Sequence, residues 1–416
     1  GGVCDVRAGV SGSVFGGGTG ASGMRSVYFQ AGSHLVQSAG GDVFGAAAPA
    51  SVVAFLPGSR FVLASGAAGF TLSGRTYADF EVDAPVYSAT AVLQSDVTMD
   101  TLVVRRGSLQ ITQNASIVLR GDLSVLPAGA MSLIGYPATA TFVLRGTGRQ
   151  HLGVHGTWQI TGTPPLVVAN PAGVSLGSDL TWIGQLQFQR GVVHTGPHTL
   201  FLATSTASVG AGEATGWVDG RLRRVIPPAA AAVFDVGDSA HFAPLLLHDP
   251  GSPDWTQLTV STTGGLHPAF GTTDALPEKS LRRWWRLSDP SQPVRANLSY
   301  QATMTWASGD LDSTVTPGEL SPMLYAGAWY LPEPMVATPT TFGATRLNVF
   351  GDLTAGTFGS RPPASVYHWY ASTTSASFDD AASWSPARVL HRTDDVLVFD
   401  RGDSAVVTNV PAQAIG

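Results

Sequence analysis

Short strand patterns that follow one another without an intervening helix constrain the fold of this chain more than any other feature. The stretch TLVVRRGSLQITQNASIVLRGDLSVLPAGAMSLIG, residues 101–135, alternates apolar and polar residues in short segments. Alternation places successive side chains on opposite faces of a strand. Such spacing fits either an antiparallel sandwich or a parallel β-helix. Four apolar pairs are expected on one face: Leu102 and Val104, Leu109 and Ile111, Ile117 and Leu119, Leu123 and Val125.

An internal repeat favours the parallel β-helix. The segment HLGVHGTWQI, residues 151–160, aligns with HTGPHTLFLA, residues 194–203, through a shared His-x-Gly-x-His pattern displaced by 43 residues. Two turns of a coil with roughly 20 to 24 residues per turn would produce this displacement, and that is the usual period of a β-solenoid. The sequence therefore predicts a parallel β-helix over residues 1–212.

The texture of the sequence changes near Trp217. From there the strand patterns are longer, aromatic residues are more frequent and the turns are more widely spaced, which indicates a separate β-sandwich over residues 213–360. The Pro-rich segment GSRPPAS, residues 359–365, is typical of a linker. Residues 361–416 are then interpreted as this linker plus the opening strands of a further β-helical unit.

Composition excludes two classes of partner. Gly accounts for 49 of the 416 residues and charged residues for only 12%, which is typical of an all-β protein with many tight turns. The formal charge of −6 comes without a basic stripe, so no nucleic-acid partner is predicted. No uninterrupted apolar stretch approaches the roughly 20 residues of a spanning helix, so no membrane insertion is predicted.

Catalytic signatures are not found in the sequence. It contains no nucleophile elbow, phosphate loop or Cys/His dyad, and Lys279 is the only lysine available as a nucleophile. We therefore predict a protein that is not an enzyme and that uses no cofactor. Cys4 is the only cysteine, so no disulfide forms within the chain. It serves either as a small buried residue or as a link to another chain.

The strongest acidic cluster is the segment ADFEVD. Alternation places Asp79, Glu81 and Asp83 on one face and Phe80 and Val82 on the other. Three carboxylates at this spacing could hold Ca²⁺ or supply the acid and nucleophile of a glycosidase. The favoured interpretation is a solvated outer face over an apolar inner face, so no metal site is predicted. A second pair, Asp310 and Asp312, is assigned to a turn.

Two other groups of side chains carry possible chemistry. Four histidines, His151, His155, His194 and His198, could stack on successive turns and bind a transition metal. Each lies beside Gly or Pro, and no Cys or carboxylate is placed to complete a tetrahedral site. The segment LRRWWRL aligns Arg282, Trp284 and Arg286 on one face, which suits either stacking on sugar rings or internal cation–π packing.

Four stretches resemble large repetitive secreted bacterial surface proteins of the type exported by the type IX system. They are ASVVAFLPGSRFVLASG with TLSGRTYADFEVD, GSDLTWIGQLQFQRGVVHTGPHTLFLATSTASVGAG, GWVDGRLRRVI with VFDVGDSAHFAPLLL, and ASFDDAASWSPARV with DDVLVFDRGDSAVVTNVPAQAIG. The resemblance covers most of the chain and implies β-helical regions and an extracellular or cell-surface location. It identifies no active site. The small sorting domain with which this family usually ends is missing, so the resemblance implies an excerpt or a processed unit.

Both ends of the sequence are strand-like. GGVCDVRAGVSG and AVVTNVPAQAIG carry no polar helix or charged cap, and uncapped strands at the ends of a solenoid pair readily with another chain. We therefore expect copies of the chain to join head-to-tail, either as separate chains or as covalent tandem repeats. The predicted assembly interface comprises Val3, Cys4, Val6, Val396, Val398, Val406, Val407, Val410 and Ile415.

The leading functional hypothesis is a structural repeat unit or subunit of an extracellular fibre or cell-surface filament. The alternative is a polysaccharide-active β-helix enzyme or a carbohydrate-binding adhesin. That alternative implies surface glycans as partners and a groove in which Asp79, Glu81 and Asp83 lie beside Arg or aromatic residues.

Overall fold

The computed structural model is all-β, with 59% of residues in strands and 4% in helices, and it contains a β-solenoid of about eight turns. The predicted all-β class and parallel β-helix are therefore confirmed. The chain divides into two compact units, Gly1–Arg224 (unit 1) and Val225–Gly416 (unit 2). The structure describes residues 1–7, 14–15, 27–39, 43–44, 53–64, 68–72, 75–93, 95–112, 115–136, 139–206, 208–226, 231–248, 257–289, 299–335, 337–358, 366–371, 375–385, 387–388, 390–391, 395–399 and 406–410.

Unit 1 consists of short strands joined by tight turns. No helix of the described residues is long and apolar enough to cross a membrane. The strands are β1 (Val3–Val6), β2 (Val27–Phe29), β3 (His34–Gln37), β4 (Val53–Phe55), β5 (Arg60–Leu63), β6 (Ala68–Thr71), β7 (Thr76–Val92), β8 (Val97–Thr112), β9 (Ile117–Leu119), β10 (Leu123–Tyr136), β11 (Phe142–Leu144), β12 (Gln150–Val154), β13 (Thr157–Gly162), β14 (Leu166–Ala169), β15 (Val174–Leu176), β16 (Leu180–Trp182), β17 (Leu186–Arg190), β18 (Val193–Leu202) and β19 (Val218–Val225).

One parallel ladder runs through the whole of unit 1, in the order β1, β3, β5, β7, β8, β10, β12, β15, β18 and β19. Paired residues on neighbouring turns lie between 19 and 31 positions apart in the sequence. His151 pairs with Ser175, and Ser175 pairs with His194. The 43-residue displacement of the histidine repeat therefore corresponds to two turns of the coil.

A column of apolar side chains fills the inside of the coil. Phe61 and Phe80, on adjacent turns, have ring centroids 5.4 Å apart. Full burial of a side chain of this size contributes about 1.5–3 kcal/mol. Contacts between apolar side chains on successive turns therefore stabilise the ladder along its length. The members of the column, all in register and buried, are Leu35, Phe61, Phe80, Leu102, Leu123, Leu152 and Leu176.

The ladder continues beyond residue 212, where the sequence placed a boundary. Strand β19 pairs in parallel with β18, with Val218 opposite Val193, and unit 1 ends at Arg224. The Gly-rich stretch that marks the change in texture is a turn of the solenoid. Gly210 and Gly216 have φ values of 76° and 140°, in the region that favours residues without a side chain.

Unit 2 contains the remaining strands and four short 3-10 helices within its described residues. The helices are Phe270–Thr272, Ser308–Asp310, Pro317–Glu319 and Ala381–Ser383. The strands are β20 (Ala232–Phe234), β21 (Val236–Gly237), β22 (Leu245–His248), β23 (Gln257–Gly264), β24 (Ala275–Ser280), β25 (Arg283–Ser288), β26 (Tyr300–Thr305), β27 (Ser321–Tyr325), β28 (Trp329–Tyr330), β29 (Glu333–Met335), β30 (Thr341–Leu347), β31 (Asp352–Phe358), β32 (Val366–Trp369), β33 (Ser375–Ser377), β34 (Trp384–Ser385), β35 (Leu390–His391), β36 (Val396–Val398) and β37 (Val406–Thr408).

Two antiparallel sets of strands make up the larger part of unit 2. One follows the order β20, β22, β26, β30 and β29, and the other the order β23, β25, β31, β27 and β28. They contact each other through Trp285 of β25 and Phe342 of β30, whose ring centroids are 6.0 Å apart. The indole N–H of Trp285 also donates to the carbonyl of Ala243 at 2.8 Å. The β-sandwich interpretation of residues 213–360 stays a prediction.

The last part of the chain returns to parallel pairing. Strand β32 pairs with β36, with Val366 opposite Val396, and β33 pairs with β37, with Ser375 opposite Val406. The paired residues are 30 and 31 positions apart, close to the 31 positions between Val3 and His34 in the first turn of unit 1. The further β-helical unit predicted for residues 361–416 stays a prediction.

Candidate functional site

Strand β1 forms one edge of the parallel ladder. Among the described residues its only strand partner is β3. The backbone N–H groups of His34 and Ser38 donate to the carbonyls of Gly2 and Val6, each at 2.9 Å. Because backbone groups alternate between the two sides of a strand, those of Val3 and Asp5 face the other side. Strand β1 therefore presents backbone donors and acceptors that a further strand could use.

The side chains of β1 divide between the two faces of the sheet. Val3 is 66% exposed, whereas Val6 is buried and points into the coil. Cys4 is a half-buried free thiol that stacks on Leu35, at the end of the interior column. Of the three interface residues predicted on this strand, Val3 alone offers a largely exposed side chain, and Cys4 offers the end of the apolar column.

The second candidate edge lies on strands β36 and β37. Val396, Val406 and Val410 are 50%, 61% and 49% exposed, respectively. Val398 and Val407 are half-buried, and the predicted contact Ile415 lies outside the described residues. The three exposed valines lie on or near the last described strands of unit 2. A further strand that paired at this edge would cover their side chains.

Phe399 belongs to the same edge and was not predicted. It is 53% exposed, and its ring centroid lies 5.7 Å from that of Trp369 and 5.4 Å from that of Trp384. Its position directly after the strand pattern DDVLV was a usable signal in the sequence. Phe399 therefore connects an exposed surface to the aromatic core of the terminal segment.

A buried arginine holds this terminal segment together. Arg388 is 1% exposed, and its Nε lies 3.0 Å from Oδ2 of Asp395, whose side chain is fully buried. Its guanidinium carbon lies 5.3–5.8 Å from the ring centroids of Phe378, Trp384 and Tyr367. Such a cation between aromatic faces is stabilised by the ring quadrupoles as well as by the carboxylate. The strands of the candidate edge therefore pack on a buried cluster of one ion pair and three aromatic rings.

The predicted acidic cluster lies on the outer face of the solenoid, and each carboxylate has a partner on a neighbouring turn. Glu81, only 7% exposed, binds Arg60 at 3.1 Å and Arg105 at 2.7 Å. Asp79 accepts a hydrogen bond from Thr101 at 2.7 Å, and Asp83 pairs with Arg106. Among the described residues no three His, Cys, Asp or Glu side chains form a metal-binding group. The cluster is an ion-pair ladder that joins turns.

The pairing of Asp83 with Arg106 gives the solenoid a small dependence on pH. The hydrogen bond from Arg106 holds the pKa of the Asp83 carboxyl below its ordinary value of 3.8, although burial acts in the opposite direction. A carboxyl with a lowered pKa stabilises the fold above about pH 4, the pKa of the unfolded chain, and loses this contribution as the pH falls through its folded pKa.

We expect Arg106→Gln to lower the free energy of unfolding at pH 7 by about 0.2–1 kcal/mol, the range of partly exposed pairs. The difference from the unmodified protein should vanish toward pH 2. Urea denaturation at a series of pH values measures both quantities. A difference that persists unchanged at low pH would contradict the ion-pair explanation.

The four histidines considered as metal ligands lie on the same outer face of the solenoid. His151 and His155 lie on one turn, and His194 and His198 lie two turns further along. The turn between them carries Ser175-Leu176-Gly177-Ser178-Asp179, which repeats the spacing of the histidine motif with Ser and Asp in place of His. His151 Nδ1 lies 3.3 Å from Ser175 Oγ, and His194 Nδ1 lies 2.8 Å from Asp219 Oδ2. His198 Nδ1 lies 3.9 Å from Asp179 Oδ1. The copy at residues 175–179 could not be recognised in the sequence, because Ser and Asp take the places of the two histidines.

The Arg-Trp segment and the second acidic pair take structural positions in unit 2. The guanidinium carbon of Arg286 lies 5.0 Å from the ring centroid of Trp284. Its Nε and Nη2 donate to the two carboxylate oxygens of Asp352 at 2.9 and 2.8 Å. Asp310 is buried, and its carboxylate binds Arg283 at 2.6 Å. The exposed Asp312 accepts from the backbone N–H of Thr314 at 2.9 Å, as expected of a turn residue. The Arg-Trp face is thus engaged in internal contacts.

No known family model matches the chain, and neither a curated protein nor a solved structure shows significant similarity to it. The resemblance to large repetitive surface proteins of the type IX class stays an expectation from the sequence.

Proposed function

We propose that the protein is a non-catalytic structural subunit of an extracellular fibre or cell-surface filament, whose copies join head-to-tail through β-strand edges. The observation that carries this proposal is the concentration of exposed apolar side chains on the edge strands. Val396, Phe399 and Val406 are each at least 50% exposed, and Val3 is 66% exposed on β1. Soluble proteins usually protect sheet edges with charges, Pro or covering loops, because open edges pair with other chains.

Similar geometry at the two edges supports pairing between them. Both edges belong to parallel ladders, and their paired residues are separated by similar lengths of chain, 31 positions for β1 and β3 and 30 for β32 and β36. An added strand would therefore continue a ladder of the same kind. Contact between two different surfaces of identical chains is heterologous, and it generates a filament unless the rotation closes a ring.

Burial and hydrogen bonding both favour association of the two edges. Val3, Val396, Phe399 and Val406 are 50–66% exposed, so covering the exposed part of each contributes about 1–2 kcal/mol. Each backbone hydrogen bond of an added strand contributes about 0.5–1.5 kcal/mol net. The cost of association is about 4–15 kcal/mol, so two strands added side by side would offset it.

Charge substitutions on the second edge test the proposal. We expect the purified chain to form elongated assemblies in light scattering and electron microscopy, and the double variant Val396→Lys with Val406→Lys to remain monomeric. Lysines on an edge strand oppose pairing through charge and desolvation. Circular dichroism should show that the variant keeps its β structure.

Two controls sharpen this test. Val209→Lys introduces the same charge at a valine that is 50% exposed in unit 1, and it should assemble like the unmodified chain. Assembly should also persist under a reducing agent, which separates strand pairing from a disulfide between chains. A monodisperse monomer at high concentration, or unchanged assembly of the double Lys variant, would contradict the proposal.

The polysaccharide-active alternative has less support. Its first candidates, Asp79, Glu81 and Asp83, already take Thr and Arg side chains as partners. These contacts join neighbouring turns, so they give each carboxylate a structural role.

A further inference from the structure

Two histidines direct ring nitrogens to one place on the outer face of the solenoid. A methyl group built on Gly153 would lie 3.7 Å from Nε2 of His151 and 3.5 Å from Nε2 of His155. Gly153 itself carries no side chain, so the space between the two nitrogens and the backbone is open. Both histidines are exposed, so an ion in solution can reach their rings.

The contacts of His151 determine which of its nitrogens is free. Ser175 Oγ donates to the carbonyl of Gln150 at 3.1 Å, so its lone pairs face His151 Nδ1 at 3.3 Å. This arrangement places the proton of a neutral imidazole on Nδ1 and leaves the lone pair on Nε2. Gly177 gives the ring its room, because a methyl group there would lie 2.3 Å from His151 Nε2. The serine thus orients the histidine as outer residues do in metal sites.

We propose that His151 and His155 bind a divalent first-row transition ion above Gly153, with each histidine contributing its Nε2 and water completing the coordination. Imidazole nitrogen is a preferred ligand of Zn²⁺, Ni²⁺ and Cu²⁺, with Cu²⁺ bound most tightly. The site is independent of the proposed assembly edges.

Copper binding to the intact chain tests the site. Isothermal titration with Cu²⁺ should show one binding event per chain, and the electron paramagnetic resonance spectrum should report two coordinated nitrogens. His151→Ala and His155→Ala should each weaken the affinity at least about tenfold and leave one nitrogen. Ser175→Ala should weaken it about tenfold, since loss of a residue that orients a ligand has an effect of this size.

Gly153→Ala provides the sharpest variant. The added methyl group fits at ordinary contact distance, so the fold and both histidines are retained, but it occupies the space beside the two nitrogens. We expect its copper affinity to fall at least about tenfold, with unchanged circular dichroism. His198 lies two turns further along the ladder, and His198→Ala should bind copper like the unmodified chain. Full affinity in Gly153→Ala, or an equal loss in His198→Ala, would overturn the assignment.

Discussion

Replacing Phe80 with Ala should lower the free energy of unfolding of unit 1 by about 3–5 kcal/mol. The ring is fully buried in the interior column, 5.4 Å from Phe61 and 5.2 Å from Tyr77 between centroids. Its removal leaves a cavity flanked by both neighbouring turns, because Phe80 pairs with Phe61 on one side and with Leu102 on the other. A parallel ladder cannot close such a gap without losing its strand spacing.

Chemical denaturation followed by circular dichroism measures this loss. Tyr28→Ala serves as the control, since it removes an aromatic ring that is 54% exposed in the same unit. We expect the control to change the unfolding free energy by about 0.5 kcal/mol or less, the usual effect of a surface substitution. Similar losses in the two variants would show that the interior column is not a main source of stability.

Asp395→Ala should destabilise the terminal segment by about 3–5 kcal/mol, because it removes the buried carboxylate that pairs with Nε of the buried Arg388. The guanidinium would keep its aromatic neighbours Phe378 and Trp384, but these contacts contribute less than a buried ion pair. Loss of this support should also remove the exposed edge on β36 and β37. The variant is therefore expected to lose both local structure and assembly.

Limited proteolysis and light scattering separate these two effects. In Asp395→Ala, cleavage within residues 366–410 should become faster, whereas the ladder of unit 1 should stay protected. Arg346→Ala is the matched control, since its pair with Glu333 at 3.1 Å is exposed and contributes about 0–1 kcal/mol. Unchanged proteolysis of Asp395→Ala would mean that Arg388 does not hold the segment together.

The fold of unit 1 could be predicted from the sequence because alternation and period are local properties. Leu102 and Val104 are both buried, as the alternation indicated, and the spacing of His151 and His194 corresponds to two turns. The middle turn escaped detection because Ser175 has the same position in the ladder but a different side chain. Position in a solenoid is determined by backbone pairing, which leaves the outer residues free to vary.

Partners on other turns could not be predicted in the same way. The face of Glu81 was predicted, but its near-complete burial depends on Arg60 and Arg105, which lie 21 and 24 positions away. The turn length determines which residues meet, and it varies along this coil. Val6 illustrates the same limit at the edge, since it was predicted as an interface residue but is buried in the structure, opposite the buried Gln37.

The uneven length of the turns has a practical consequence. Stacked columns stay in register although the turns of this coil range from 19 to 31 residues, so the ladder accepts turns of different length. Foreign peptides inserted between the strands of a turn are therefore expected to leave the paired ladder and its interior unchanged. The chain is therefore suited as a scaffold on which epitopes or tags are carried at regular axial intervals.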